Sequence, residues 1–319
     1  MFFNTYKSLN KHGILGMNQR NADYIAVYNP RNCYPLVDNK LATKQLALKA
    51  GIAVPELYYT VTMEHEVAQI GEILNPYNSF VIKPAHGSGG DGIVIIHGRR
   101  HDKYRRGNGT LLQKEELQYH LSSILSGMFS LGGHEDYGMI EALVEFDPLF
   151  EDVTYQGVPD IRVIVFQGYP IMAMARLPTR QSHGKANLHQ GAVGVGIEIT
   201  SGITTDGVMQ NEIMTAHPDT GNTISGLEIP DWDTLLYLAA RCYELTGLGY
   251  MGVDIVLDKN RGPLILELNA RPGLSIQIAN RAGLLPRLQL ITAEGNKKAS
   301  AEEKVAFVKK NLHRFKLIP

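Results

Sequence analysis

Two periods of hydrophobic and polar positions run along this 319-residue chain, and their order predicts its elements. The stretch DNKLATKQLALKAGIAVPELYYT predicts a helix and then a strand. Leu41, Leu46, Leu48 and Ala50 form the apolar side of the helix, Gly51 ends it, and Pro55 bars its continuation. EHEVAQIGEILN predicts a second helix, SFVIKP and GIVIIHGRR two strands, and QKEELQYHLSSILSGMFS a third helix. YGMIEALVE is a strand that runs into a loop, and DIRVIVFQGYPIMAMARLP is a hairpin turning at Gly168-Tyr169-Pro170. DWDTLLYLAARCYELTG is a helix with Asp231 as its cap and Asp233 in its first turn, and SAEEKVAFVKKNLHRFKLI is a last helix capped by Ser300. The sum is an α+β chain of mostly antiparallel strands with helices packed on them.

One strand pattern breaks its own rule. In PLILELNARPGLS, Leu264, Leu266 and Leu268 share one face, while Ile265, Glu267 and Asn269 share the other. The segment before it, GYMGVDIVLDKN, predicts the partner strand, with a polar turn from Asp258 to Pro263. If Asp258 stands opposite Pro263, Asp254 stands opposite Glu267. Like charges directly opposite each other destabilise a sheet. A hard cation removes that penalty, and Mg²⁺ favours carboxylates together with substrate phosphates. Asp254, Glu267 and Asn269 are therefore candidate metal ligands. The alternative is an edge strand with one wet face.

VIKPAHGSGGDGIVII carries Gly87, Gly89 and Gly92 in G-x-G-x-x-G spacing. A strand follows, so the loop opens no helix, and no Gly-Lys-Ser/Thr completes a Walker loop. The loop is a glycine hairpin tip, read either as an ordinary surface turn or as a lid that closes over phosphates. Lys83 lies on the apolar strand just before it, and a lysine there suits a phosphate.

Composition narrows the partners. The chain is 44% hydrophobic and 20% charged with net charge −1, so no bulk field favours nucleic acid or an anionic membrane. Cys33 and Cys242 have no metal spacing, and no signal peptide or membrane span is legible. The expectation is a cytoplasmic protein without membrane insertion. The basic stretch RRHDKYRRGNG, 99–109, reads as a solvated loop, or as a docking patch for an acidic partner.

The order of motifs is a strand lysine, a glycine hairpin, MIEALVE, and then paired Asp and Glu-x-Asn. It resembles the ATP-grasp superfamily, and KANLHQGAVG with ELNARPGLS resembles its alpha-L-glutamate ligase group. The resemblance covers about Asp38 to Gln289. It implies an α+β fold of two lobes with ATP between them and a much shortened N-terminal domain. Its boundaries are a short segment at 1–38, an N-lobe with the lid at 39–140, and a C-lobe with the metal site at 141–319. It implies Lys40 and Lys83 as nucleotide lysines, and Gly87, Ser88, Gly89, Gly90 and Gly92 as the lid. Glu141, Ala142 and Leu143 would hold adenine, and Asp160, Arg162, Lys185 and Asn187 would line the ATP and phosphate site. Lysine at 185 stands where the group has arginine, which keeps the charge but loses the fork. Asp254, Glu267 and Asn269 would bind Mg²⁺, two ions by analogy, with Mn²⁺ as a substitute. Arg162, Lys185, Asn187 and Arg271 are the catalytic candidates.

The implied reaction is ligation of a carboxylate, small or peptidic, to an amine through an acyl phosphate, with glutamate as the suspected amine. It needs no protein nucleophile, and none is legible. Two other readings stay open: phosphoryl transfer to a small hydroxyl compound, and a regulatory nucleotide-binding protein without turnover. A homo-oligomer is compatible with all of them. His86 reads as a surface residue and His189 as a loop histidine or an acid–base group. Arg176 and Arg180 read as partners of surface acids, and GAVGVGIEI as backbone lining the cleft.

Overall fold

The structure is a computed structural model describing residues 9, 11–87, 90–130 and 132–315. The chain divides into two compact units. One comprises 38–45 and 54–145, the other 1–37, 46–53 and 146–319.

In the first unit, β1 (Leu57–Val61), β2 (Phe80–Pro84), β3 (Val94–Ile96) and β7 (Gly138–Glu141) form an antiparallel sheet of order β1-β7-β2-β3. Its core takes Phe80, Ile82 and Ile140 from the sheet. Leu117, Leu121 and Ile124 come from one face of a helix at Lys114–Leu125, by i, i+4, i+7 spacing. The segment expected as a second helix forms two short ones, Glu64–Ala68 and Ile70–Leu74, which place Val67, Ile70 and Leu74 in the same core.

The basic stretch is not a loop. It folds into a small antiparallel sheet of β4 (Gly98–Arg100), β5 (Lys103–Arg105) and β6 (Leu111–Leu112). Strand alternation puts Arg99 and Tyr104 on the inner side. The Arg99 guanidinium lies 5.0 Å from the Tyr104 ring centre and donates to the carbonyls of Tyr77 (3.1 Å) and Leu74. Tyr104 packs edge-on against Phe80. Two residues that read as a polar run thus contribute an aromatic and a carbonyl-capping cation to the core.

Helix α1 spans Lys40–Lys49, as the sequence predicts, but its buried side differs from the expected one. Thr43, Lys44 and Ala47 are buried, whereas Leu48 is 54% exposed. Counting from Lys40, these are the i+3, i+4 and i+7 positions. A lysine occupies a place the pattern reserves for an apolar residue.

The second unit is built on a seven-stranded antiparallel sheet of order β12-β11-β10-β9-β8-β13-β14. The strands are β8 (Asp160–Phe166), β9 (Tyr169–Leu177), β10 (Val193–Ile197), β11 (Thr204–Met209), β12 (Glu212–Met214), β13 (Tyr250–Asp258) and β14 (Gly262–Asn269). The helices at Trp232–Thr246 and Ala301–Asn311 pack on it and on each other. The second has the expected capping box, with Ser300 N donating to Glu303 at 2.7 Å and Glu303 N to Ser300 Oγ at 3.2 Å. Asp231 precedes the first helix, but with φ +51° and no side-chain cap bond.

The β8–β9 turn is Gln167-Gly168, one residue earlier than expected. Both have positive φ (50° and 84°), the signature of a two-residue hairpin, and Phe166 pairs with Tyr169. Pro170 lies inside β9 beside a bulge, where a missing N–H is tolerated.

At β13–β14 the turn is also one residue tighter: Asp258 pairs with Gly262. A bulge between Asp254 and Ile255 then restores the offset, so that Asp254 does stand opposite Glu267. The N-terminal segment belongs to this unit too. Asn29 makes two bonds with the backbone of Tyr250, its Nδ2 donating to the carbonyl (2.7 Å) and its Oδ1 accepting from the N–H (2.8 Å). Tyr24 and Tyr28 pack edge-on against Phe166.

Candidate functional site

In the first unit two lysines share one carboxylate. Lys44 Nζ lies 2.7 Å from Glu141 Oε1, and Lys83 Nζ lies 2.7 Å from Glu141 Oε2. All three are buried, at 5%, 5% and 2% exposure. Lys83 is brought in by β2 and Glu141 by its neighbour β7, while Lys44 comes from α1. Burial pushes the Glu141 carboxyl up, but Lys83 and Lys44 outweigh it and hold it below the ordinary range. Taken by themselves, these three side chains hold two ammonium groups against one carboxylate, an excess of one positive charge. A buried surplus charge is costly unless a counter-ion meets it. No single feature of the helix sequence marks Lys44; its i, i+4 relation to Lys40 is the available signal.

The glycine hairpin begins two residues beyond Lys83 and joins β2 to β3, as expected. Lys40 anchors its start, its N–H donating to Ala85 O at 2.9 Å and its Nζ to Gly87 O. His86 is not a plain surface residue. Its Nδ1 and its backbone N–H both donate to Asp136, at 2.7 Å and about 3 Å, and Asp136 also accepts from Tyr137 N. At the far end His120 Nε2 donates to the Gly92 carbonyl at 2.9 Å. The hairpin is thus held at both feet. Ser88 and Gly89 lie outside the described residues. After β7, Ala142 N–H donates to Glu56 O at 2.8 Å, so only the carbonyl of Ala142 remains for a ligand.

In the second unit Asp254 is buried and clamped. Arg162 grips it through Nε–Oδ1 (2.7 Å) and Nη2–Oδ2 (2.6 Å), Arg176 Nη2 reaches Oδ2 at 2.8 Å, and Asn269 Nδ2 donates to Oδ2 at 3.3 Å. Arg176 also makes a two-pronged bond to Asp160, with Nε–Oδ1 at 2.5 Å. Cross-strand register explains the ladder: Arg162 stands opposite Asp254, and Asp160 opposite Arg176. Arg176 therefore pairs with buried acids, not surface ones.

The other candidates lie apart from this ladder. Asn187 Oδ1 accepts from His189 N at 3.0 Å and caps the turn Leu188–Gln190, and His189 is exposed. Lys185 N–H donates to Ser182 O in the same braced loop. Arg271 is exposed and stacks on Tyr34 at 5.2 Å, and Arg180 pairs with Asp219. In β10, a side chain at Gly196 would meet the Ala279 carbonyl at 2.7 Å. Close packing accounts for that glycine without a ligand. Among the described residues, no three of His, Cys, Asp and Glu gather as a metal cluster; the expected ligand set has only two acids.

The sequence model of a protein family described as sugar-transfer associated ATP-grasp matches residues 19–293. The chain belongs to that family. This ATP-grasp chain is also similar to two proteins named "Probable alpha-L-glutamate ligase". One, from Maridesulfovibrio salexigens, is 31% identical over 115 residues, covering 36% of this chain and 27% of that protein. The other, from Syntrophotalea carbinolica, is 22% identical over 238 residues, covering 74% and 56%. The chain thus spans little more than half the length of either relative at most. A D-cycloserine synthetase structure aligns at TM-score 0.47 with 15% identity, over 87% of this chain and 80% of that one. Among the described residues, no helix of the ATP-grasp chain is long and apolar enough to cross a membrane.

The ladder sets a pH dependence. Burial pushes Asp160 up to about 6, with Arg176 opposing and Asp254 adding to the rise. Burial also pushes Asp254 up, but Arg162 and Arg176 outweigh it and hold it at about 2. Asp160 takes up a proton on folding, so its contribution is favourable in acid and is lost as pH rises from about 4 to about 6. Asp254 contributes stability above about 4 that is lost as pH falls towards about 2. Of these two groups only Asp160 changes above about pH 4. The Tm of Asp160→Asn minus that of the parent is therefore expected to climb between pH 4.5 and pH 7, measured by calorimetry in chelator. A flat difference would refute the assignment.

Proposed function

We propose that this ATP-grasp chain binds MgATP and uses it to join a carboxylate to an amine. The observation that carries the reading is the buried surplus cation at Lys44, Glu141 and Lys83, at the root of a glycine hairpin. A polyphosphate would offset the positive excess of these three side chains. Lys83 and Lys40 would meet the phosphates, and Gly87, Ser88, Gly89, Gly90 and Gly92 would cover them. The Ala142 carbonyl and Leu143 would hold adenine. Glu141, with a lysine on each oxygen, would serve as counter-ion.

Asp254, Glu267 and Asn269 fit a magnesium ion by donor type, since all can offer oxygen. Asp254 Oδ1 accepts one arginine N–H and keeps a second lone-pair direction. Bound there, Mg²⁺ would screen the phosphate charge; two ions are the expectation. Arg162 donates through Nε and Nη2, leaving Nη1 for a substrate oxygen. Asp160, through Arg176, keeps that guanidinium pair in place. Lys185, Asn187 and Arg271 would bind the reacting carboxylate or phosphoryl group.

The chemistry balances without a protein nucleophile. A carboxylate oxygen attacks the γ-phosphorus and ADP leaves. The amine nitrogen then attacks the acyl carbon, phosphate leaves, and the amine gives up a proton. Catalysis rests on positioning and charge neutralisation. The relatives' names support glutamate as the amine, and the family description adds amino sugars to the compounds worth testing. The test is incubation with MgATP and pools of acids, amino acids and amino sugars. Phosphate and ADP release requiring both an acid and an amine is the expected result. Release with a hydroxyl compound and no amine would replace the reading with phosphoryl transfer, and no release with any pool would leave a binding protein.

A further inference from the structure

The two lysines on Glu141 are chemically alike but differently held, and from this we infer that Lys44 is a positioning residue that frees Lys83 for the nucleotide. The inference rests on the MgATP reading above. Lys44 has two partners fixed by the fold, Glu141 Oε1 at 2.7 Å and the Pro55 carbonyl. Lys83 has, among the described residues, only Glu141 Oε2 at 2.7 Å. An ammonium has three N–H donors, so Lys83 keeps two for an incoming anion. It is also the lysine carried by β2, the strand that leads directly into the glycine hairpin.

The division of labour follows from the cost of a stranded charge. If Lys83 turned towards a phosphate with no other cation nearby, it would leave a carboxylate at 2% exposure without a partner. That cost would hold Lys83 on Glu141 and subtract from nucleotide affinity. With Lys44 in place, what is left behind is a neutral ion pair at 2.7 Å. Lys44 need not touch the nucleotide at all. Its effect is exerted through Glu141, so deleting the carboxylate should make Lys44 dispensable.

The experiment is isothermal titration of the full chain with a non-hydrolysable ATP analogue and Mg²⁺. Lys44→Met is expected to weaken binding about tenfold or more, the scale of one charged hydrogen bond. Lys44→Arg, which keeps the charge, should stay within about threefold of the parent. Adding Glu141→Gln to Lys44→Met should return affinity to within about threefold of the parent, because nothing is left to retain Lys83. A role in support of the fold alone, or direct contact between Lys44 and phosphate, gives no such rescue; a double variant as weak as Lys44→Met overturns the inference. So does unchanged affinity in Lys44→Met. If circular dichroism shows that Lys44→Met does not fold, Glu141→Gln alone decides: binding at least as tight as the parent supports the inference, and weaker binding ends it. A parent protein that binds no nucleotide removes the MgATP reading and this inference together, whereas a binding parent with an indifferent Lys44→Met removes only this one.

Discussion

Lys83→Met is expected to cost the protein roughly a hundredfold or more in MgATP affinity while leaving it folded. The substitution removes the ammonium with spare donors and leaves Lys44 and Glu141 as a neutral buried pair at 2.7 Å. The surplus positive charge disappears, so the fold loses a desolvated cation and no partner is stranded. Methionine fills a similar volume and is flexible enough for the strand. Unliganded Tm should stay within a few degrees of the parent or rise, while the Tm gain on adding MgATP should vanish. Calorimetric titration and thermal shift together check this. Affinity equal to the parent would mean that the lysine–glutamate cluster is structural and would remove the main support for nucleotide binding.

Glu267→Ala is expected to abolish turnover, by about a thousandfold or more, with the protein still folded. Glu267 is only half-buried on β14, and its cross-strand partner Asp254 already has two arginines, so the sheet does not depend on it. The distinguishing readout is metal dependence. In the parent, Mg²⁺ should add to the Tm rise produced by ATP; in Glu267→Ala the increment should be absent at the same metal concentration. A variant that keeps both turnover and the Mg²⁺ increment would withdraw the carboxylate from the ligand set.

The parts of this arrangement legible in the sequence are those set by residue type along one strand or helix. The β2–β3 hairpin, the paired β13 and β14, and the capping box at Ser300 all follow from local pattern and turn chemistry. Even there two local offsets cancel. The β13–β14 turn is one residue shorter than expected, and Asp254 faces Glu267 only because a bulge takes up the difference. What stayed hidden is non-local. Lys44 carries no signal of its own until its ion pair with Glu141 on β7 is seen, and nothing in its own window announces a carboxylate nearly a hundred positions away. Arg176 reads as a surface cation until β8 brings Asp160, and β13 brings Asp254, within reach of it. The basic stretch after β3 reads as a loop because its apolar content is one tyrosine, and that tyrosine is what folds it inward.

The ladder of Asp160, Arg176, Asp254 and Arg162 also acts as a gauge of chain length. Its bonds require side chains at matched heights on β8, β9 and β13. Adding or removing a single residue within β8 or β9 (160–166 and 169–177), or within β13 (250–258), without a new bulge to absorb it would turn every later side chain of that strand to the opposite side of the sheet. A carboxylate would then be driven into the aliphatic layer and a guanidinium out of reach of it. Insertions and deletions can accumulate in the connectors of this protein, but these stretches must keep their residue count.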